Sequence, residues 1–198
     1  MPTNFTSLAN KALVQLLQNG AVGVLPTDTV YGVATSAAQH QAVQRLYALK
    51  QRQKKPGTVI AANLGQLEEL GFKARYLKAV AQYWPGAVSV VIPCVDMEWL
   101  HQGVGSVAVR IPQNKELDKL LVQTGPLLTS SANTPGSPPA GTMTNAREYF
   151  GDAVDFYVDG GDLHGRKAST VIRVVDDVVE VLREGAVTID AETGKVLT

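Results

Sequence analysis

Residues 21–32 read Ala21-Val22-Gly23-Val24-Leu25-Pro26-Thr27-Asp28-Thr29-Val30-Tyr31-Gly32, and the architecture is read outward from them. Ala21 to Leu25 is an apolar run with no polar break, the pattern of a short buried strand. The segment from Pro26 to Gly32 carries more polar and special residues than a simple two-residue turn needs. Asp28 can close an Asx-type turn on the local backbone; equally, the hydroxyls of Thr27 and Thr29, with Tyr31, can serve as ligand contacts at the carboxyl edge of a sheet. Upstream, Leu8, Ala12, Leu13, Leu16 and Leu17 recur at helical spacing from Ser7 onward, and Asn19-Gly20 supplies a left-handed stop. Downstream, a helix from about Ala38 to Lys50 presents Val43, Leu46, Tyr47 and Leu49, and a strand follows at Thr58 to Ala62. This strand, helix, strand order predicts a sheet with helices packed on it.

The same alternation continues along the chain. Helices are expected at Leu64 to Leu70, Arg75 to Tyr83, Lys115 to Val122 and Thr144 to Phe150, and strands at Val88 to Ile92, Ser106 to Ile111 and Leu127 to Thr129. The last third turns β-rich at Phe156 to Val158, Thr170 to Val175 and Val178 to Leu182, with Asp176-Asp177 marking a tight hairpin. The fold class is therefore α/β (α+β): one mixed sheet flanked by helices and finished by antiparallel strands. No internal repeat and no long linker divides the chain, so residues 1–198 are expected to form a single domain.

Composition narrows the function classes. The 198 residues carry 18 Lys+Arg and 18 Asp+Glu, a net charge of zero, which disfavours a protein that coats nucleic acid or an anionic membrane. With 45% hydrophobic residues the chain can build its own core. Cys94 is the single cysteine, so neither an internal disulfide nor a thiolate metal site can form, and a reducing, cytoplasmic setting is expected. No basic segment followed by a long apolar one opens the chain, and nothing approaches the roughly 18 apolar residues of a membrane span. His40, His101 and His164 lack ligand spacing, so no metal site is assigned. The common hydrolase, P-loop and dinucleotide signatures are absent as well.

Four stretches could carry chemistry. Lys50-Gln51-Arg52-Gln53-Lys54-Lys55 puts four cations in six residues at a helix C-terminus. A solvated helix end explains such a run, whereas the Pro56-Gly57 turn into an apolar strand favours cations fixed near a sheet edge, where Lys and Arg can grip a triphosphate. The second stretch is 26–32. In the third, Thr129-Ser130-Ser131-Ala132-Asn133, small hydrogen-bonding side chains crowd a strand end, as an ordinary polar turn or as part of a shared groove. In the fourth, Ser106-Val107-Ala108-Val109-Arg110, alternation sets Ser106, Ala108 and Arg110 on one face. An Arg on an apolar strand needs an anion, either a structural ion-pair partner or a ligand.

Taken together, Pro-Thr-Asp-Thr-Val-Tyr-Gly at 26–32, Lys50-x-Arg52, Ser106-Val-Ala-Val-Arg110, Ser131-x-Asn133, Ser169-Thr-Val and Leu182-Arg183-x-Gly185-Ala186 resemble the YrdC-like family, the threonylcarbamoyl-AMP synthases. The six motifs occur in the family's order, and the resemblance covers about residues 8–187, without the extra C-terminal domain of longer members. It implies a twisted mixed sheet around a large concave, positively charged groove. It also implies a nucleotidyltransferase that combines L-threonine, bicarbonate and ATP into threonylcarbamoyl-AMP and pyrophosphate, feeding the downstream tRNA threonylcarbamoyl transferase machinery that modifies adenosine 37.

Position by position, the resemblance assigns Lys50 and Arg52 to the phosphates as the catalytic pair, and Thr29, Arg110, Ser131 and Ser169 to L-threonine. Ser106, Asn133, Pro139 and Arg183 are assigned to ATP with Lys50 and Arg52, and Mg2+ is expected to be held mainly by the ATP phosphates. Gln53, Pro56 and Arg173 depart from the family's usual residues, and Lys54 or Lys55 is expected to supply the contact missing at Pro56. Thr134 to Thr142, rich in Gly, Pro and Ser, is the expected lid. The competing reading is a YrdC-like module that binds RNA or a nucleotide without synthase activity. The basic cluster supports it, and the zero net charge and the lack of aromatics among the cations oppose it.

Overall fold

The computed structural model describes residues 1–190 and 192–197. Its centre is a mixed sheet of ten strands, with strand order β1 (Thr3–Phe5), β8 (Phe156–Val158), β2 (Gly23–Pro26), β3 (Tyr31–Ser36), β7 (Leu127–Ser131), β4 (Thr58–Ile60), β6 (Ser106–Arg110), β5 (Val88–Pro93), β9 (Thr170–Val175) and β10 (Val178–Arg183). Parallel pairing joins β1 and β2 to β8, β4 to β6 and β5 to β9, and the remaining neighbours are antiparallel. A separate two-stranded ribbon pairs β11 (Thr188–Ile189) with β12 (Val196–Leu197).

Alternate residues of the central strands feed two cores. Val24, Val33, Val59 and Leu128 pack into one, whereas Leu25, Ala34, Ile60 and Leu127 pack into the other, as the two-residue period of a strand requires. Helices α2 (His40–Leu49), α3 (Leu64–Leu70), α4 (Ala74–Ala79) and α7 (Met143–Phe150) cover the first face with Val43, Leu46, Leu67, Leu77 and Phe150. Helices α1 (Lys11–Gln18) and α6 (Lys115–Thr124) cover the second with Leu13, Leu17, Leu117, Leu120 and Leu121. Among the described residues, two helices therefore lie on the second face. Thr58 of β4, Thr129 and Ser131 of β7, and Ser106, Ala108 and Arg110 of β6 share that face and line a cavity beside α1 and α6.

The structure corrects several expectations. Helix α1 begins at Lys11, where Asn10 caps it by accepting from the Ala12 N–H; Leu8 is buried in the lead-in, not on the helix. The 26–32 stretch is not one loop: after a turn at Thr27–Val30 the chain enters β3, which pairs antiparallel with β2. All six residues of β3 are buried, so the polar-apolar alternation that marks a half-exposed strand is missing. The order is thus strand, strand, helix, strand. Strand β7 runs past the expected end at Thr129, so Ser130 and Ser131 also lie inside it, where Ser131 pairs with Gly32. The short strands β1, β11 and β12 and the one-turn helix α5 (Glu98–His101) had no sequence signal of their own.

Candidate active site

A cavity of about 360 Å³ opens on this second face. The β2–β3 turn (Thr27, Thr29, Val30), the start of β4 (Pro56, Gly57, Thr58), β6, β7 and the β9–β10 hairpin (Ala168, Ser169, Leu182, Arg183) all contribute to its walls, together with Arg52. Gly57 permits a close approach of β4 to β7: a Cβ there would lie 2.5 Å from the Thr129 carbonyl oxygen. Of the ten residues singled out from sequence, Thr29, Arg52, Ser106, Arg110, Ser131, Ser169 and Arg183 line this one cavity. Lys50, Asn133 and Pro139 do not.

Lys50 lies beneath the cavity wall, 5% exposed. Its ammonium donates to the Ser131 carbonyl (2.8 Å), to Asn133 Oδ1 (3.0 Å) and to the Asn133 carbonyl, so its three N–H groups meet three protein oxygens. Burial, with the Arg52 charge adding to it, pulls its pKa down to about 8. Ser131 Oγ also donates to Asn133 Oδ1, at 2.7 Å, and Asn133 Nδ2 donates to the carbonyls of Thr134 and Ser137. The Lys50-x-Arg52 and Ser131-x-Asn133 elements are thereby stapled to one another. The 134–142 segment stays outside the cavity lining, and its Pro138 carbonyl accepts from the Tyr149 hydroxyl at 3.1 Å. Pro139 is exposed.

Arg110 does find an anion within the protein. Its Nη2 meets Asp28 Oδ1 at 3.0 Å, with both side chains about 95% buried, and its Nη1 donates to Ser89 Oγ at 3.1 Å. Ser89 Oγ in turn meets Ser169 Oγ at 2.8 Å, and Arg183 donates to the Ser169 carbonyl at 2.7 Å. Asp28, Arg110, Ser89, Ser169 and Arg183 form one chain of contacts from the β2–β3 turn to β10. Arg110 Nε and Asp28 Oδ2 have no hydrogen-bond partner among the described residues. The ion-pair reading of Arg110 is therefore realised, with the guanidinium still part of the cavity lining. Ser89 escaped the sequence reading because one Ser in an apolar strand carries no signal until its neighbours are known. Asp28 was legible only as a turn former.

The electrostatics are dominated by arginines. Burial lowers the pKa of Arg183, and the nearby charges of Arg110 and Arg52 lower it further. Burial likewise lowers that of Arg52. Arg52 Nη1 donates only to the carbonyls of Lys55 (3.3 Å) and Pro56 (3.2 Å), so among the described residues neither Arg52 nor Arg183 has a carboxylate partner. Arg173, where the sequence departs from the family's usual residue, also lines the cavity and pairs with Glu180 at 3.0 Å. Lys54 and Lys55 are exposed and outside the lining, whereas Pro56 lines it. Clustered guanidinium charges, Thr and Ser hydroxyls, and the aliphatic walls of Val91, Val104, Val171 and Leu182 suit a ligand that is anionic at one end and apolar at the other.

Comparison with known proteins follows the same lines. A threonylcarbamoyl-AMP synthase of Pseudomonas paraeruginosa is 34% identical over 173 residues, spanning 85% of this chain and 93% of that protein. The structure of P. abyssi Sua5 complexed with L-threonine superposes with a TM-score of 0.81 at 25% identity, over 94% of this chain but 58% of that one. E. coli YciO shares the fold over 93% of this chain and 96% of its own length, with a TM-score of 0.79 at 24% identity. The Sua5/YciO/YrdC family model, described as "Telomere recombination", matches residues 15–185. With a match of that extent, and its order of motifs assembled around one cavity, the chain belongs to the Sua5/YciO/YrdC family.

Proposed function

We propose that this protein is a threonylcarbamoyl-AMP synthase, making L-threonylcarbamoyladenylate and pyrophosphate from L-threonine, bicarbonate and ATP. The observation that carries the reading is the convergence of Arg52, Arg110 and Arg183 on one cavity that already holds the hydroxyls of Thr29, Ser131 and Ser169. Arg110 is balanced by Asp28, but Arg52 and Arg183 have no carboxylate partner among the described residues; two like charges held close cost free energy until an anion enters, and a triphosphate fits that need. Arg52 and Arg183 take the phosphates, with Ser106 beside them, and the aliphatic wall receives the base. Thr29, Ser131, Ser169 and the Asp28-paired Arg110 hold threonine.

Both nucleophiles belong to substrates. Bicarbonate takes up a proton and loses water to give CO2; the amine of threonine adds to CO2 and releases a proton to give a carbamate, whose oxygen attacks the α-phosphorus as the bond to pyrophosphate breaks. The protein's part is to orient the two substrates and to stabilise the charge that builds on the phosphates. The donors facing the cavity are hydroxyls and guanidinium groups, not a cluster of carboxylates, which suits Mg2+ ligated by phosphate oxygens and water. That ion would neutralise phosphate charge. The product would pass to a tRNA-modifying transferase, and a cytoplasmic setting follows from that chemistry.

The test supplies ATP, Mg2+, bicarbonate and one amino acid at a time and measures pyrophosphate. Release that depends on threonine is the expected result. Its absence sinks the reading and leaves a nucleotide- or RNA-binding module. Among the described residues no aromatic side chain lines the cavity to stack successive RNA bases, which favours the synthase.

A further inference from the structure

Arg52 belongs to a loop whose backbone is strained on both flanks. Gln51 and Lys54 adopt left-handed φ values of 49° and 52°, a region that non-glycine residues seldom occupy. Such a loop holds one shape only if something outside it fixes that shape. The outside group is Gln102, the C-cap of α5 and itself left-handed at φ 52°. Its Nε2 donates to the Arg52 carbonyl at 3.2 Å and its Oε1 accepts from the Lys55 N–H at 3.2 Å, so one side-chain amide spans both ends of the loop. Within the braced loop, Arg52 Nη1 donates to the carbonyls of Lys55 and Pro56.

Gln102 is itself well anchored. Its N–H donates to the Glu98 carbonyl. The buried ring of His101 accepts the N–H groups of Gly103 (3.0 Å) and Gly105 (3.1 Å) on Nδ1, which fixes the chain just beyond it. Gly103 follows directly and Gly105 two residues further on, both with positive φ, yet the strained position carries a glutamine. A glycine at 102 would relieve the strain and lose the brace.

We propose that Gln102 is a positioning residue for the nucleotide: it braces the 51–56 loop so that Arg52 is presented to the cavity before the phosphates arrive. The inference rests on the reading of this cavity as the ATP site. Its test measures binding separately from turnover, with a non-hydrolysable ATP analogue titrated by calorimetry into the full chain and its variants. Gln102→Gly removes the amide and eases the backbone, so the melting temperature is expected to hold or rise while analogue affinity and 1/KM for ATP both fall about tenfold, the scale of two lost hydrogen bonds. Gln102→Met, of similar length but without the amide, should lose affinity to a similar degree. The KM for threonine should stay within about twofold in both, since the threonine residues do not belong to the braced loop.

Wild-type affinity in Gln102→Gly or Gln102→Met overturns the inference, as does an equal rise in both KM values, which would mean that the whole cavity has loosened. If the wild type binds the analogue and the variants lose it, yet no threonine-dependent pyrophosphate appears, the positioning role stands and the synthase reading falls. A wild type that does not bind the analogue overturns both.

Discussion

The ammonium of Lys50 needs all three of its protons to hold Ser131 and Asn133, and burial brings its pKa from 10.5 to about 8. Between those two values the unfolded chain keeps a proton that the folded chain gives up, so the contribution of this group to stability rises with pH across the window. Its contribution to the site moves the other way, because neutral Lys50 has one donor fewer. Pyrophosphate release is expected to fall above about pH 8 with no loss of stability from this group, and Lys50→Met should lack that alkaline limb while showing a lower plateau; pH–rate profiles run beside thermal melts check it. Arg110 makes a second residue-scale prediction. Removing it strands the buried Asp28 carboxylate, so Arg110→Ala should lose about 3–5 kcal/mol in urea unfolding, and adding Asp28→Asn should restore part of that. A threonine KM measured on Arg110→Ala is therefore informative only beside that double variant. Sequence showed that Arg110 needs an anion; it could not show that Asp28, 82 positions away, would supply one.

Between β9 and β10 the two-residue turn Asp176-Asp177 has φ values of 49° and 62°, both left-handed, as the primed hairpin turns require. Asn and Gly adopt that conformation at less cost than two aspartates, whose like charges also sit side by side. Replacing the pair by Asn-Gly should stabilise the chain by about 1 kcal/mol in urea unfolding and leave the ATP KM unchanged, since the turn does not line the cavity. This hairpin was legible from sequence because its signal is local: valine pairs on either side of two turn formers. Helix α3, expected at Leu64 to Leu70, spans those residues, and in the structure Asn63 caps it and Gly71 follows its end. Strand β3 was not legible, because a strand buried on both faces shows no alternation and its threonine, serine and glycine resemble a loop. Nor was α5, a single turn whose form depends on its place between α2 and β6.

At the scale of the whole molecule, the cavity is a gap in one of the two layers of helices, and what fills it should stabilise the fold. ATP at a hundred times its Kd should add about 2.7 kcal/mol, or about 5–10 °C in melting temperature for a chain of this length. Threonine should add to that shift, and single-stranded RNA should produce none at 0.15 M salt; a shift with RNA in place of ATP would favour the binding-module reading. The zero net charge disfavours a polyanion-coating surface and still permits such a site, because Arg52 and Arg183 are drawn together without a carboxylate partner among the described residues, while Asp28 balances Arg110 at the site. By itself the sequence determined what local chemistry can specify: the helix and strand periods, the caps and turns, the mixed α/β class, and the order of motifs that marks the family. Only the tertiary structure decided that seven of ten expected residues share a cavity, that Lys50 lies beneath its wall, that Asp28 neutralises Arg110 and that Gln102 braces the Arg52 loop. The physical reason is distance along the chain: these contacts join residues from 47 to 83 positions apart, and the sheet register that brings them together is set by which faces can be buried, a property of the whole chain and not of any one segment.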